Sequence, residues 1–285
     1  MAVIRNPVLW GWDYVTNAAV AVRSAASDEI GLHPARPAVG RIGVRDLGEA
    51  LAKGLGDFGA ARSDVILLCV IYPVVGLALG RLAFGYGVMP LLFPLAAGFA
   101  LVGPFASIGL YEMSRRREQG LDVTLRDALA VRHSPQFGAV VRLGMLLSGI
   151  FLVWLVVAQG LYDLTLGPKP PVSVAAFAHG VLHTPAGWVL IGVGLSVGFL
   201  FALLVLAISV VSFPLLLDRE DVGVETAVAT SIRAVRANPG PMAIWGLIVA
   251  GALVIGSIPF LLGLAIILPV LGHATWHLYR RVVPR

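Results

Sequence analysis

The stretch PMAIWGLIVAGALVIGSIPFLLGLAIILPVLGHATWHLY, which runs from Pro241 to Tyr279, contains no Asp, Glu, Lys or Arg. As a single α-helix its 39 residues would be about 58 Å long, whereas the hydrocarbon core of a bilayer is about 30 Å thick. One helix of that length does not fit the bilayer, and Gly256 and Pro259 supply a break within it. The stretch therefore predicts a hairpin of two membrane-spanning helices.

The composition of the whole chain also favours a membrane protein. Of its 285 residues, 58% are hydrophobic and 13% are charged, which is about half the charged fraction of a soluble domain. The single cysteine, Cys69, excludes an internal disulfide and a CxxC metal or redox site. The net charge of +5 comes with no nucleic-acid-binding motif. Because basic residues of membrane proteins gather on the cytoplasmic face, we expect the lipid bilayer as the partner, and not nucleic acid.

Further apolar regions raise the predicted number of spans to six. Between Asp64 and Tyr111 the only formal charge is Arg81, which predicts a second hairpin with its turn near 84–87. Two longer apolar runs predict one span each, at about 139–161 and 187–217. The predicted fold class is therefore all-α, a polytopic membrane helix bundle of six transmembrane helices.

The segments outside these spans are assigned by their composition. Residues 162–186 contain GPKPPV and predict an external loop, in which 172–183 forms a short interfacial helix. Residues 1–40 predict an N-terminal arm, made of a tryptophan-anchored interfacial segment and a flexible link. Asp13 and two tryptophans interrupt the apolar core that a signal peptide would need there. The transmembrane domain is then expected to cover 41–285.

The distribution of Arg and Lys predicts the orientation in the membrane. Basic residues are frequent up to Arg62, and further clusters follow the second, fourth and sixth predicted spans. The opposite side has little beyond Arg81 and Lys169. Because positively charged segments stay in the cytoplasm, both termini are expected to lie there. The abundance of Arg, Ala, Gly and Val is typical of a bacterial genome of high GC content, so we expect a bacterial inner membrane.

One pattern occurs three times along the chain: an amphipathic helix, a span out and a span back. The second and third amphipathic helices end almost alike, in AVRHSP (130–135) and AVRANP (234–239). The first and third return spans also match, because an aromatic residue lies seven positions, and Arg-Arg eleven and twelve positions, after Pro104 and Pro269. We therefore predict three related units, which cover about 43–117, 122–218 and 222–281.

Three motifs resemble the bacterial membrane-protein family called domain of unknown function 2189. They are FPLAAGFALVGPFASIGLYEMSRRREQG, NPGPMAIWG and LGHATWHLYRR, and the resemblance covers roughly 42–281. It implies a multi-pass membrane protein without an assigned reaction. Some members are labelled cytochrome c oxidase subunits. A catalytic oxidase subunit needs about twice as many spans and several haem and copper histidines, whereas the return span here offers only His273 and His277.

His273 and His277 are candidates for a cofactor site because their i,i+4 spacing places both rings on one helix face. Histidines so spaced bind zinc in HExxH proteins, and such a pair is a candidate for haem as well. HATWH lacks the glutamate of that motif and has no third ligand nearby, so we assign no metal site. The alternative is structural: both rings hydrogen-bond to neighbouring helices, and Trp276 and Tyr279 anchor the helix at the membrane interface.

The repeat indicates a partner for His277. Glu112 and His277 both lie eight positions after the proline that opens the matched segment. If the units surround a common axis, these two residues meet in a polar cluster at the cytoplasmic end, together with Tyr111, Trp276 and Tyr279. A buried Glu–His pair would handle protons or bind a ligand; the alternative is a structural polar contact.

No set of residues in the sequence indicates a reaction. No Ser/His/Asp constellation or carboxylate pair suggests hydrolysis, no glycine-rich phosphate loop is present, and no predicted span has a formal charge near its centre. We therefore expect a protein that is not an enzyme, needs no cofactor and acts as an accessory or scaffold for other membrane proteins. Two alternatives are a permease or channel for a small solute, and a haem- or metal-binding protein that uses His273 and His277.

Overall fold

The structure is a computed structural model, and every regular element in its described residues is helical, as the sequence predicts. The described residues are 37–60, 81, 89–91, 94–95, 103, 107–124, 127–128, 131–169, 171–259 and 261–284. Most of the predicted N-terminal arm lies outside them, and so do most of the hairpin predicted at 64–111 and its turn.

The helices are numbered here in chain order. They are α1 (Val44–Gly59), α2 (Ile108–Glu118), α3 (Phe137–Thr165), α4 (Val174–His183), α5 (Pro185–Ser209), α6 (Ser212–Asp218), α7 (Val224–Ala237), α8 (Pro239–Ser257) and α9 (Leu264–Val282). Short 3-10 turns lie at Met89–Leu91 and Val131–His133.

Three stretches of the described residues are long and apolar enough to cross a membrane: Phe137–Thr165, Pro185–Asp218 and Pro239–Ser257. They correspond to the predicted third, fourth and fifth spans. α9 corresponds to the predicted sixth span and is not among the three, because its second half contains two histidines and two arginines. The count of six spans therefore stays a prediction.

Several shorter elements lie where the sequence predicts them. The amphipathic helices predicted before the first and fifth spans are α1 and α7, and the predicted interfacial helix is α4. α7 ends at Ala237 and is capped by Asn238, and Pro239 opens α8, where its missing N–H leaves no helix hydrogen bond unmade. α8 ends at Ser257 and α9 begins at Leu264, so the chain breaks where glycine and proline predict.

The helices form two regions with different surfaces. In the first, called the apolar region, α3, α5 and α8 expose large hydrophobic side chains, among them Leu152, Val156, Phe199, Leu247 and Val254. Extensive exposure of this kind is typical of a face that contacts lipid. In the second, called the packed end, α1, α2, α6, α7 and α9 enclose a core. Its fully buried side chains include Phe213, Trp276 and Tyr279.

The fourth predicted span links the two regions. Residues 185–218 would be about 51 Å long as a continuous helix, well beyond the thickness of a bilayer core. The helix breaks at Val210 and Val211, and α6 continues into the packed end. There Phe213 and Leu215 are completely buried. The apolar run in the sequence therefore combines a lipid-facing helix with a piece of protein core.

α1 packs along α9 at very short range, because Gly54 has no side chain. A Cβ atom at Gly54 would lie 2.6 Å from the backbone nitrogen of Ala274, closer than real Cβ contacts. The chain before α1 is held in the same place, since Gly40 N donates a hydrogen bond of 2.7 Å to Val282 O. The packed end is thus closed by the first and last described helices.

Candidate functional site

Asp57, near the end of α1, is the centre of a hydrogen-bonded cluster. Ser114 Oγ lies 2.7 Å and His277 Nε2 lies 2.8 Å from Asp57 Oδ2. Arg117 Nε lies 3.2 Å from Asp57 Oδ1, and Ser114 Oγ lies 2.7 Å from His273 Nδ1. These five residues are called the Asp57 cluster. They join α1, α2 and α9 by side-chain hydrogen bonds.

Helix periodicity explains why these side chains meet. Ser114 and Arg117 are three residues apart on α2, and His273 and His277 are four residues apart on α9, so each pair lies on one helix face. Gly54 lies one turn before Asp57 on α1 and lets that helix approach α9 closely. The short Asp57 side chain therefore reaches both partner helices.

The proton positions in the Asp57 cluster follow from its donors and acceptors. An ionised carboxylate only accepts, and a hydroxyl has one proton. Ser114 donates that proton to Asp57, so its oxygen accepts from Nδ1 of His273. The proton of neutral His273 is then on Nδ1, and Nε2 is an acceptor. Nε2 is buried without a hydrogen-bond partner among the described residues, although the Leu110 backbone lies near this ring.

The surroundings of Asp57 keep it ionised. Burial acts to raise the pKa of the Asp57 carboxyl, but the hydrogen bonds from His277 and Ser114 act in the opposite direction. Together with the positive charge that the two histidines carry when they are protonated, these hydrogen bonds hold this pKa below its ordinary value. Asp57 is therefore a carboxylate at neutral pH, and its hydrogen bonds are those of a charged acceptor.

Glu112 is the centre of a second cluster on α2. Its side chain is 5% exposed, and its two oxygens each lie 2.8 Å from a guanidinium nitrogen, one from Arg115 and one from Arg116. Arg116 Nη1 also lies 2.6 Å from Asp127 Oδ1. Hydrogen bonds from the hydroxyl and the backbone N–H of Thr124 lower the pKa of Asp127. This cluster fixes the end of α2 to the segment that follows it.

The aromatic residues of α9 belong to a third group of contacts. Trp276 Nε1 donates to Glu118 Oε2 over 3.2 Å, and the Tyr279 hydroxyl donates to Asp218 Oδ2 over 2.7 Å. Arg280 lies between the same two carboxylates. Both aromatic rings are fully buried in the packed end. They therefore tie α9 to α2 and α6 from inside the protein.

The structure places all the candidate residues at the packed end but gives them different partners. His277 pairs with Asp57, whereas Glu112 pairs with the arginines that follow it. Tyr111 is buried in the same core. Sequence reasoning did not single out Asp57 or Ser114. A signal for Asp57 was present, because a glycine one turn earlier on an amphipathic helix marks a close helix contact.

Each of the two histidines uses one ring nitrogen for a hydrogen bond within the Asp57 cluster. His277 uses Nε2 for Asp57, and His273 uses Nδ1 for Ser114. No group of three or more His, Cys, Asp or Glu side chains in the described residues is arranged to hold a metal. The arrangement supports a hydrogen-bonding role for the pair.

A cleft of about 380 Å³ opens beside the Asp57 cluster. It is lined by Lys53, Asp57, Arg117, Glu118, His277, Arg280 and Arg281. The lining thus combines four permanent cations with two carboxylates, and it belongs to α1, α2 and α9. Asp57, Arg117 and His277 are common to the cleft and the Asp57 cluster.

Comparison with known families adds to this description. Residues 91–218 match a family model described as "Predicted integral membrane protein (DUF2189)". Over this segment the chain is similar to the DUF2189 family. The match confirms the resemblance seen in the sequence, over a shorter range than 42–281. It includes α2 to α6, and α1 and α9 lie outside it. No curated protein and no solved structure matches the chain.

Proposed function

We propose that this protein is an accessory or scaffold protein of a bacterial inner membrane and associates with other membrane proteins through α5. The supporting observation is a pair of small residues one helical turn apart on an exposed face of that helix, which is called the small-residue step. Gly192 and Ser196 are exposed one turn apart, and a Cβ atom at Gly192 would meet nothing within 4 Å. Small residues four positions apart allow a second membrane helix to approach closely.

The neighbours of this step form an apolar surface around it. Val189, Val193 and Leu200 are each 42–61% exposed. The Ser196 hydroxyl donates to Gly192 O over 2.8 Å, so its hydrogen-bonding capacity is satisfied within α5. A face with small residues at its centre and larger apolar ones at its sides fits a helix better than it fits disordered lipid chains.

A photocrosslinking experiment in native membranes tests the accessory role. We expect a photoreactive amino acid in place of Val193 to yield a discrete protein adduct identifiable by mass spectrometry. Val205 lies on the same helix and is 4% exposed, so the same amino acid there is the buried control. Lipid adducts alone at position 193 would contradict the proposal.

Two matched substitutions distinguish close packing of a partner helix at the small-residue step from unspecific apolar contact. Ser196→Leu fills the step and is expected to abolish the protein adduct. Ser148→Leu is the control, because Ser148 is also exposed four positions after a glycine, but that glycine, Gly144, is buried. Equal adduct yields in the two variants would remove the support for α5 as the contact face.

Protein purified from native membranes tests the alternative of a haem- or metal-binding protein. Haem or metal in stoichiometric amount, visible in the absorption spectrum or by elemental analysis, would favour that alternative over a purely accessory role. The permease or channel alternative is tested by solute flux into vesicles that contain the purified protein.

We further propose the topology of six spans in three units, with both termini in the cytoplasm. The ends of α2 and α9 support this proposal, because both end in arginines and lie side by side at the packed end. The matching positions of α1 and α7 at the start of two of the units support it as well. A reporter that works only in the cytoplasm should be active at either terminus, and a silent reporter at both would overturn the orientation.

A further inference from the structure

We propose that the cleft beside the Asp57 cluster binds a phosphate-bearing anion. Its lining carries the side chains of Lys53, Arg117, Arg280 and Arg281 against those of Asp57 and Glu118. Counted from that lining, with His277 neutral, the charge is four positive minus two negative, or +2. The proposal concerns a different surface from the α5 face and does not depend on the accessory role.

The two carboxylates of the cleft are already engaged by the protein. Asp57 accepts hydrogen bonds from Ser114 and His277. Glu118 accepts one from Trp276 and pairs with Arg280 over 3.2 Å. Carboxylates held in this way repel an incoming anion less than free ones, because protein donors already neutralise part of their charge.

Two of the cations, in contrast, have donors to spare. Lys53 is exposed and has no ion-pair partner among the described residues. Arg117 uses Nε for Asp57, and 45% of its side chain remains exposed. A guanidinium has five N–H donors in a planar fork that matches phosphate oxygens. Lys53 from α1 and Arg117 from α2 therefore offer an anion donors from two sides of the cleft.

The size and position of the cleft fit such a ligand. Its volume of about 380 Å³ falls within the roughly 300–1,000 Å³ of small-molecule sites. On α9 the apolar turns up to Leu271 are followed within about 14 Å by Arg280. With α9 as the proposed sixth span, this is the boundary at which lipid phosphates lie, and basic pockets there bind anionic headgroups. A soluble phosphate reaches the same cleft from the aqueous side.

Calorimetric titration of the full-length protein, freed of lipid in a neutral maltoside detergent, tests the proposal. The probes are inorganic phosphate, short-chain phosphatidylglycerol and a diacylglycerol of the same chain length. We expect saturable binding of one or both phosphate compounds and none of the diacylglycerol. Binding of phosphatidylglycerol alone identifies a lipid headgroup as the ligand, and binding of inorganic phosphate identifies a free phosphate.

Charge-matched variants show whether binding occurs in the cleft. Lys53→Gln and Arg117→Gln should each weaken binding about tenfold, the effect of losing one charge-assisted hydrogen bond. Arg45→Gln is the control, because Arg45 also lies on α1, its side chain is 92% exposed and it is not part of the lining. It should change the affinity less than about twofold.

Two results would overturn the proposal. One is the absence of saturable binding of either phosphate compound. The other is an equal loss of affinity in Lys53→Gln and Arg45→Gln, which would show attraction to the overall charge instead of a site. Lys53→Gln is decisive if Arg117→Gln fails to fold, since Lys53 has no ion pair in the described residues to lose.

Discussion

The apolar region and the packed end differ in what surrounds their side chains. Only 17% of the most apolar window of α8 and 28% of that of α3 are buried inside the protein, against 61% for Pro185–Asp218. Most side chains of α8 and α3 are therefore free to contact lipid, so which apolar residue stands at each position contributes little to the stability of the protein. At the packed end the buried side chains meet protein, and the buried carboxylates have named partners. The comparison predicts that stability depends mainly on the packed end.

The largest effect is expected where one helix has both kinds of surface. Leu143→Ala on α3 should lower the free energy of unfolding by about 3 kcal/mol, because Leu143 is 0% exposed and its loss leaves a cavity. Leu152→Ala on the same helix should change it by less than about 0.5 kcal/mol, since Leu152 is 60% exposed. Thermal unfolding in detergent measures both, and equal effects would break the distinction between side chains buried in protein and side chains that face lipid.

A smaller effect is expected from the contact between α1 and α9. Gly54→Ala should cost about 2.5 kcal/mol, because the new Cβ atom would overlap backbone atoms of Ala274 and push the helices apart. Gly48→Ala is the control on the same helix, with nothing within 4 Å of its Cβ position. It should be neutral or stabilising by up to about 1 kcal/mol, as in other exposed helix positions. A neutral Gly54→Ala would mean that the close approach is unimportant.

The third effect concerns charge at the packed end. Asp57→Asn should lower the free energy of unfolding at pH 7 by about 2 kcal/mol, because the amide cannot satisfy the donors of Ser114, His277 and Arg117 together. The folded-state pKa of Asp57 lies below its unfolded value. Its contribution is therefore complete above the ordinary aspartate pKa of about 4 and is lost as the pH falls through the folded pKa.

Unfolding midpoints measured from pH 7 down to pH 3 check this charge effect. The difference between wild type and Asp57→Asn should shrink toward the acid end. Asp46→Asn serves as the control, since Asp46 is 29% exposed and lies 3.5 Å from Arg281, and it should cost less than about 0.5 kcal/mol. A difference that stays constant with pH would show that Asp57 acts through shape and not through its charge.

The sequence predicts those parts of the fold that depend on local pattern. Apolar runs predict α3, α5 and α8, because a helix that crosses the bilayer must be apolar along its length. Helical periodicity predicts α1 and α7, because an amphipathic helix has its apolar residues on one face. The candidate site depends instead on which helices meet. The alignment of the repeats pairs His277 with Glu112. That alignment compares only the return spans, whereas the actual partner of His277 is Asp57 on α1. α1 approaches α9 closely because Gly54 has a hydrogen atom where other residues have a side chain.

Asn238 has a consequence for how the packed end is assembled. Its Oδ1 accepts from Ile42 N over 2.8 Å, and its Nδ2 donates to the carbonyl oxygens of Gly40 and Ala234, each over 3.0 Å. The side-chain amide thus pairs with the main chain near residue 40 as a neighbouring β-strand would. Positions nearly 200 residues apart are set in register by one side chain. Because Asn238 is synthesised 196 residues after Ile42, the segment before α1 acquires this partner only after the helices from α1 to α7 have been made.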